Sequence, residues 1–145
     1  MSDFCSRLGT VLQNRGCDIE NENDYFTSAV VVPLVRHNGR LGVLFEVRSA
    51  GLNWQPGDIC FPGGRIELDD AGPMEAAVRE TREELGLPES AIEVLGPLSY
   101  MVSPIGVMLY PFAAYIKDYE LIRPNHGEVA EVFVAPLDYL LNCEP

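Results

Sequence analysis

The stretch CFPGGRIELDDAGPMEAAVRETREELGL, residues 60–87, encodes a glycine turn followed by a helix. The run Pro62–Gly64 predicts a tight backbone turn. A helix is predicted over Pro73–Leu85, because proline favours the first helical position and Gly86 favours the end of a helix. The stretch therefore predicts a turn that delivers the chain, through a short loop, into one helix.

The predicted helix carries an apolar face and an acidic stripe. Glu80, Glu83 and Glu84 are separated by steps of three and four residues, so they lie on one side of a helix. Such a stripe is either a solvated acidic face or a site for a hard divalent cation, which carboxylate oxygens bind well. The glycine turn favours the cation, because its backbone can be approached closely. The apolar face is expected to contain Met74, Ala77, Val78, Thr81 and Leu85.

These residues together resemble the Nudix hydrolase box. That pattern is glycine, five residues, glutamate, seven residues, Arg-Glu, an aliphatic residue, any residue, Glu-Glu, any residue, glycine and an aliphatic residue. Asp70 takes the place of the first glutamate, eight residues separate it from Arg79, and Thr81 stands at the aliphatic position. An acid with this longer spacer resembles the coenzyme A diphosphatase branch. The matching positions are Gly64, Arg79, Glu80, Glu83, Glu84, Gly86 and Leu87.

The resemblance implies a binding site for Mg²⁺ or Mn²⁺. Glu80 and Glu84 are expected to be the primary ligands, with Glu83 as a further ligand or a partner through water. A backbone carbonyl of Gly63 or Gly64 is expected to complete the shell.

The catalytic roles are assigned in the same way. Arg79 is expected to brace the glutamates by charge-assisted hydrogen bonds, and its alternative is an ordinary exposed ion pair. The catalytic base is either Glu83 of the box or a carboxylate of the late predicted strand, Glu128 or Glu131. For each of the last two, the alternative is a solvated acid at the edge of the strand. Asp70 is expected to cap or brace the turn rather than to bind metal.

Residues 45–64, FEVRSAGLNWQPGDICFPGG, resemble a second signature of that branch. Asn53 stands where the signature has arginine, Gln55 where it has histidine and Asp58 where it has glutamine. Asn53 lacks the charge that would recognise the 3′-phosphate of coenzyme A. The shared positions are Arg48, Ser49, Leu52, Gly57 and Phe61–Gly64.

Substrate contacts are expected from residues that flank the glycine turn. Arg48 and Arg65 are candidates for a phosphate, and Trp54 is a candidate for stacking on a base. The alternatives are a surface arginine at position 48 and a loop anchor at position 54.

The leading hypothesis is a metal-dependent hydrolase that cleaves the diphosphate of a nucleoside diphosphate-linked compound, with coenzyme A or an acyl-coenzyme A first. One alternative is a diphosphatase for ADP-ribose or another nucleotide. Another is a non-catalytic nucleotide-binding Nudix module, although a binder has little need for three clustered acids.

Composition restricts the partners and the compartment. The net charge of −12 argues against a nucleic acid or an anionic membrane surface as partner. No signal peptide or membrane span is apparent, and the cysteines lack metal-finger spacing, so reduced thiols in the cytoplasm are expected. The oligomeric state is left open, with a homodimer as one alternative.

The remaining patterns predict an α/β fold with a mixed sheet, and the resemblance implies a Nudix-type α/β/α sandwich. Residues 1–145 are expected to form a single Nudix hydrolase domain, either a short member or one truncated at the C-terminus. His37 is expected in a solvated hairpin loop, and Asp18–Asp24 is expected to be a linker. Strands are predicted in a meander at 28–36, 41–48, 92–101, 107–117 and 128–134, and helices at 3–15, 73–85 and 136–142.

Overall fold

The computed structural model describes residues 3–13 and 26–144. The helices are α1 (Asp3–Leu12), α2 (Pro73–Leu85) and α3 (Leu137–Asn142). The strands are β1 (Phe26–His37), β2 (Arg40–Arg48), β3 (Ile59–Cys60), β4 (Gly63–Arg65), β5 (Ile92–Pro97), β6 (Met101–Val102), β7 (Val107–Ile116) and β8 (Val129–Pro136).

Strand β1 is the axis of a mixed sheet, because it is long enough to pair with several partners. It pairs with β7 in parallel along most of its length. Its other edge pairs with β4 at residues 28–30 and with β2 at residues 34–37, both antiparallel. The mixed sheet is confirmed, but the expected meander is wrong in this respect, since β1 and β7 are adjacent although they are far apart in the sequence.

Residues 59–65 lie in a fork between β1 and β2. The two strands pair only near their hairpin, where Asn38 and Gly39 both have positive φ. Beyond that point β3 pairs with β2 and β4 pairs with β1, while β8 covers the opposite edge of β2. The Pro-Gly-Gly turn therefore crosses from one strand to the other inside the sheet.

Helices cover both faces of the sheet. On one face α2 packs over β1, β4 and β7, and its Ala76, Ala77 and Leu85 join Val31 and Leu44 in one core cluster. On the other face α1 packs over β5, and Leu12 joins a second cluster that includes residues of α3. The expected α/β/α arrangement is confirmed.

The bounds of α2 match the prediction, but its apolar face is shifted. Met74 was expected in the core and is 51% exposed, whereas Ala76 is fully buried. The small side chains of Ala76 and Ala77 allow α2 to approach the strands closely, which turns Met74 outward. Glu84 is also buried at 4% exposure, so the simple solvated face is wrong for this residue.

Several smaller expectations are also corrected. His37 ends β1 and its ring packs 4.0 Å from the ring of Tyr119, so it is not a loop residue. The strand predicted over 92–101 ends at Pro97, and Met101–Val102 forms a separate short strand. The linker at Asp18–Asp24 and the end of the first predicted helix lie outside the described residues. Among the helices in the described part of the chain, none is long and apolar enough to cross a membrane.

Candidate active site

The glycine turn is fixed to β1 by backbone contacts. The carbonyl of Pro62 accepts a hydrogen bond from the Val31 N–H at 2.9 Å, and Gly63 pairs with Val30. Gly63 has a φ of 155°, and a Cβ at this position would lie 2.3 Å from the Ala29 carbonyl oxygen. Only glycine fits here, so the turn and its polar groups are held at a fixed place beneath α2.

Two acidic residues of α2 contact this turn directly. The Gly63 N–H donates to Glu84 Oε2 at 2.8 Å. A Cβ on Gly64 would lie 2.5 Å from Glu80 Cδ, so the Glu80 carboxylate rests against the bare backbone of the turn. The predicted pairing of the glycine turn with Glu80 and Glu84 is therefore present in the structure.

Arg79 joins the loop before α2 to the acidic stripe. Its Nε and Nη2 donate to the two oxygens of Asp70 at 2.9 and 3.0 Å, and its Nη1 donates to Glu80 Oε1 at 2.9 Å. Asp70 also accepts the Glu67 N–H at 2.8 Å, and the bonds from Arg79 and Glu67 lower the pKa of Asp70 to about 2. Asp70 thus braces the loop and Arg79 braces Glu80, as the sequence suggested for each.

Glu83 lies at the outer side of the stripe. Its side chain is 55% exposed, and its Oε1 is 3.6 Å from Arg79 Nη1. Its carboxylate is therefore open to water on one side and near Arg79 on the other.

Glu46 is a buried acid beside this site that sequence reasoning missed. It is 1% exposed in β2, directly opposite Cys60 of β3, and the Cys60 thiol lies 3.5 Å from Glu46 Oε1. Because side chains alternate along a strand, Glu46 shares the α2 face with Leu44. The available signal was a lone acid inside the apolar strand LGVLFEVR.

Burial and mutual repulsion perturb these carboxylates. Burial, followed by the charge of Glu46, raises the pKa of Glu84 to about 9. Burial also raises the pKa of Glu46 to about 7 and is the main cause that raises the pKa of Glu80. Glu128 adds to each of these three shifts, so it also lies near the group. Burial and mutual repulsion therefore oppose the simultaneous ionisation of these carboxylates.

Glu128 and Glu131, the two alternatives for the catalytic base, differ in the direction of their side chains relative to the sheet. Glu128 precedes β8, and its carbonyl accepts the Ser49 N–H at 2.8 Å. Glu131 pairs with Val47, and its neighbour Val132 pairs with Glu46. Because alternate residues face opposite sides, Glu131 points away from the face that carries Glu46. Glu128 is the better placed of the two.

The three residues that were expected to contact the substrate differ in how near they lie to the carboxylates. Arg48 lies near the acidic group, since its charge opposes the rise in pKa that burial causes at Glu46 and Cys60, and its Nε donates to the Trp54 carbonyl at 3.1 Å. Trp54 is 62% exposed. Arg65 is exposed, and its guanidinium carbon lies 5.5 Å from the centre of the Phe26 ring. The structure therefore brings only Arg48 into the electrostatic surroundings of the carboxylates.

The donor set suits a hard divalent cation. The Glu80 and Glu84 carboxylates of α2 lie against the glycine backbone, and Glu46 Oε2 of β2 is buried with no hydrogen-bond partner among the described residues. Within residues 3–13 and 26–144, no three acidic, histidine or cysteine side chains already enclose a single point. Glu83 is the exposed member of the acidic stripe, so its carboxylate is the one that is open to solvent.

Comparison with known sequences shows which family this chain resembles. The family described as NUDIX domain matches residues 25–144. The peroxisomal coenzyme A diphosphatase NUDT7 of Mus musculus is 38% identical over 79% of this chain and 48% of that protein. An uncharacterized Nudix hydrolase NudL of Enterobacter sp. is 32% identical over 97% of this chain and 71% of that protein. The chain thus spans about half the length of the mouse relative.

Solved structures share the fold. The Nudix hydrolase RenU of M. smegmatis superposes with a TM-score of 0.65 at 23% identity, covering 81% of this chain and 74% of that one. The NUDIX domain of Shewanella oneidensis NrtR, solved with ADP ribose, gives a TM-score of 0.62 at 20% identity and covers 88% of this chain and 84% of that one.

Proposed function

Because this chain belongs to the Nudix hydrolase family, we propose that it hydrolyses the diphosphate of a nucleoside diphosphate-linked compound with the help of a divalent cation. The observation that carries the proposal is the buried Glu84, held by the Gly63 N–H beside Glu80 and Glu46. Buried like charges are costly unless a cation compensates them. Divalent metal ions are typical of Nudix hydrolases, and small nucleotide-linked compounds are their usual substrates.

The proposed cation is Mg²⁺ or Mn²⁺, and its proposed ligands come from α2 and the glycine turn. They are Glu80, Glu84, Glu83 and the carbonyl of Gly63. When bound, such an ion would lower the pKa of an attacking water and neutralise charge on the diphosphate.

The chain's own residues hold these oxygens in place. The Gly63 N–H occupies one oxygen of Glu84, and Arg79 occupies one oxygen of Glu80. Each bond restricts the rotation of its carboxylate and leaves the second oxygen of that carboxylate for the proposed cation. Asp70 in turn holds Arg79 at two points, so the orientation of Glu80 depends on an anchor in the loop before α2.

A base must take a proton from the attacking water. We propose Glu83 for this role, because its exposed side chain can reach a water at the open side of the group. Glu128 is the alternative, since it lies near the same carboxylates. In either case water attacks one phosphorus, the bond from that phosphorus to the bridging oxygen breaks, and two phosphate-containing products leave.

Substrate binding is proposed for Arg48, Trp54 and Arg65. Neither of these arginines forms a salt bridge within the described residues, so both charges are available to a phosphate, and Arg48 is nearer to the acidic group. The 62% exposed indole of Trp54 offers a surface on which a base can stack.

Coenzyme A or an acyl-coenzyme A is the first proposed substrate, since two signatures resemble that branch. A panel of coenzyme A, acyl-coenzyme A, ADP-ribose and dinucleotides should be incubated with Mg²⁺ or Mn²⁺ and the products separated by chromatography. We expect adenosine 3′,5′-bisphosphate and 4′-phosphopantetheine from coenzyme A, formed by Glu84→Gln at a rate that is lower by orders of magnitude. Cleavage by Glu84→Gln at a rate near that of the wild type, or the absence of cleavage across the panel, would contradict the proposal.

Asn53 favours ADP-ribose or another nucleotide as a second candidate. It is exposed in the loop after β2 and carries no charge for a 3′-phosphate. The NUDIX domain of NrtR was solved with ADP ribose. Faster cleavage of ADP-ribose than of coenzyme A in the same panel would select this candidate.

A further inference from the structure

We infer that Glu46 is an additional carboxylate of the cation site, and that it reaches this site from the face of the sheet that packs against α2. This inference rests on the proposed function, since it adds a ligand to the same site. The proposed ligands of α2 and the glycine turn come from a single stretch of sequence, whereas Glu46 comes from β2.

The position of Glu46 in the sheet directs it toward the site. Its cross-strand neighbours are Cys60 on one side and Val132 on the other, and directly opposed residues share a face. Val132 belongs to the core beneath α2, so Glu46 faces that helix. Cys60, which lies opposite Glu46, is three residues before Gly63, and the Gly63 N–H donates to Glu84, so Glu46 lies beside the segment that leads into the glycine turn.

The hydrogen bonding of Glu46 leaves one oxygen unexplained. The thiol of Cys60 can donate to Oε1, but Oε2 is buried and has no partner among the described residues. A buried carboxylate oxygen without a partner is costly, because it has lost its hydration. A cation between the sheet and α2 would give Oε2 a partner and would compensate its charge.

The alternative is a structural acid that serves only to bond Cys60. Glu46→Gln separates the two roles, because the amide keeps the size of the side chain and a carbonyl for the thiol. A structural role leaves cation affinity unchanged. A ligand role lowers cation affinity, while the metal-free variant is at least as stable as the wild type because a buried charge has been removed.

The test is Mn²⁺ binding to the 145-residue chain in mildly alkaline buffer, measured by the electron paramagnetic resonance signal of free Mn²⁺. For Glu46→Gln we expect the dissociation constant to rise about tenfold or more, with no fall in Tm in EDTA. Glu93→Gln is the matched control, since it removes a half-exposed strand glutamate from β5 and should bind Mn²⁺ as the wild type does. Glu46→Asp keeps the charge but retracts it, and should also bind more weakly.

The outcomes separate this inference from the proposed function. Wild-type affinity in Glu46→Gln would overturn the role of Glu46 alone. A wild-type chain that does not bind Mn²⁺ would overturn both. If Glu46→Gln does not fold, Glu46→Asp provides the test. Unchanged Mn²⁺ affinity in that variant would overturn the role of Glu46, because the shortened side chain would no longer bring the carboxylate to the ion.

Discussion

The guanidinium of Arg79 meets the carboxylate of Asp70 at two points, with Nε 2.9 Å from Oδ1 and Nη2 3.0 Å from Oδ2. The loop between them therefore absorbs the extra residue in the spacer without separating the pair. A third nitrogen of the same guanidinium donates to Glu80, so one side chain connects the loop to the acidic stripe. A planar group with fixed donors is required for such an arrangement.

Replacing Asp70 by asparagine should lower both kcat and Tm, because the amide cannot accept two charge-assisted bonds. The pKa of Asp70 is lowered to about 2 by Arg79, whereas an unfolded aspartate titrates near 4. A lowered pKa stabilises the folded state above the unfolded value, and this contribution is lost as the pH falls toward 2. The Tm difference between wild type and Asp70→Asn should therefore shrink from about pH 4 to about pH 2. A constant difference across this range would contradict the ion pair.

Glu80→Gln and Glu84→Gln should each lower turnover by orders of magnitude while the fold is retained. Each change removes a charge that is proposed to bind the cation but keeps the shape of the side chain. Circular dichroism and kcat at subsaturating Mg²⁺ provide the measurement. Glu89→Gln, in the exposed turn after α2, is the control and should retain activity. Near-wild-type turnover in either test variant would remove that residue from the proposed ligands.

Gly64→Ala should lower activity with little effect on stability. The added methyl group would lie 2.5 Å from the Glu80 carboxyl carbon, and the flexible end of that side chain can move away. The displaced carboxylate would then lose its position at the turn. Gly51→Ala is the matched control, since nothing lies within 4 Å of its added methyl group. Equal activity of the two variants would show that close contact with the turn is unimportant.

Removing divalent cations should lower the thermal stability of the protein as well as its activity. A cation that binds only the folded chain stabilises it by mass action, by about 2.7 kcal/mol at a hundredfold excess over its dissociation constant. Tm measured in EDTA and in millimolar Mg²⁺ should therefore differ, and the difference should be small in Glu84→Gln. Identical Tm values for the wild type would count against a cation site.

Because Asn53 is uncharged, the protein should discriminate poorly between coenzyme A and its 3′-dephospho form. One charged contact is worth about 1.5–3 kcal/mol, or roughly ten- to a hundredfold in affinity. We expect similar kcat/KM for coenzyme A and 3′-dephospho-coenzyme A, and Asn53→Arg should raise the preference for coenzyme A toward that range. A hundredfold preference in the wild type would place the phosphate contact elsewhere, with Arg48 or Arg65 as the first residues to substitute.

Local signals accounted for much of the fold. The ends of α2 at Pro73 and Leu85 were predictable because capping depends on the few residues around each terminus. The β1–β2 hairpin was predictable from Asn38-Gly39 for the same reason. The spacing of Glu80 and Glu84 also predicted a shared side, because a helix imposes a fixed repeat.

The depth of each residue was less predictable. Met74 was expected to be buried and is exposed, whereas Ala76 was not expected in the core and is buried. The distance between α2 and the strands determines this, and that distance depends on the side chains of both the helix and the sheet. The short strands at Ile59–Cys60 and Gly63–Arg65 form only because β1 and β2 diverge and leave unpaired backbone between them. No property of residues 59–65 alone could reveal that fork.

The sequence by itself determined which acidic residues lie together on α2, since they are close in the chain and the helical repeat fixes their relative positions. Only the tertiary structure decided that Glu46 joins them, and that Glu131 faces away while Glu128 does not. Those positions depend on the register between strands that are distant in sequence. A shift of one residue in that register would turn Glu46 to the opposite face, because strand side chains alternate with a period of two.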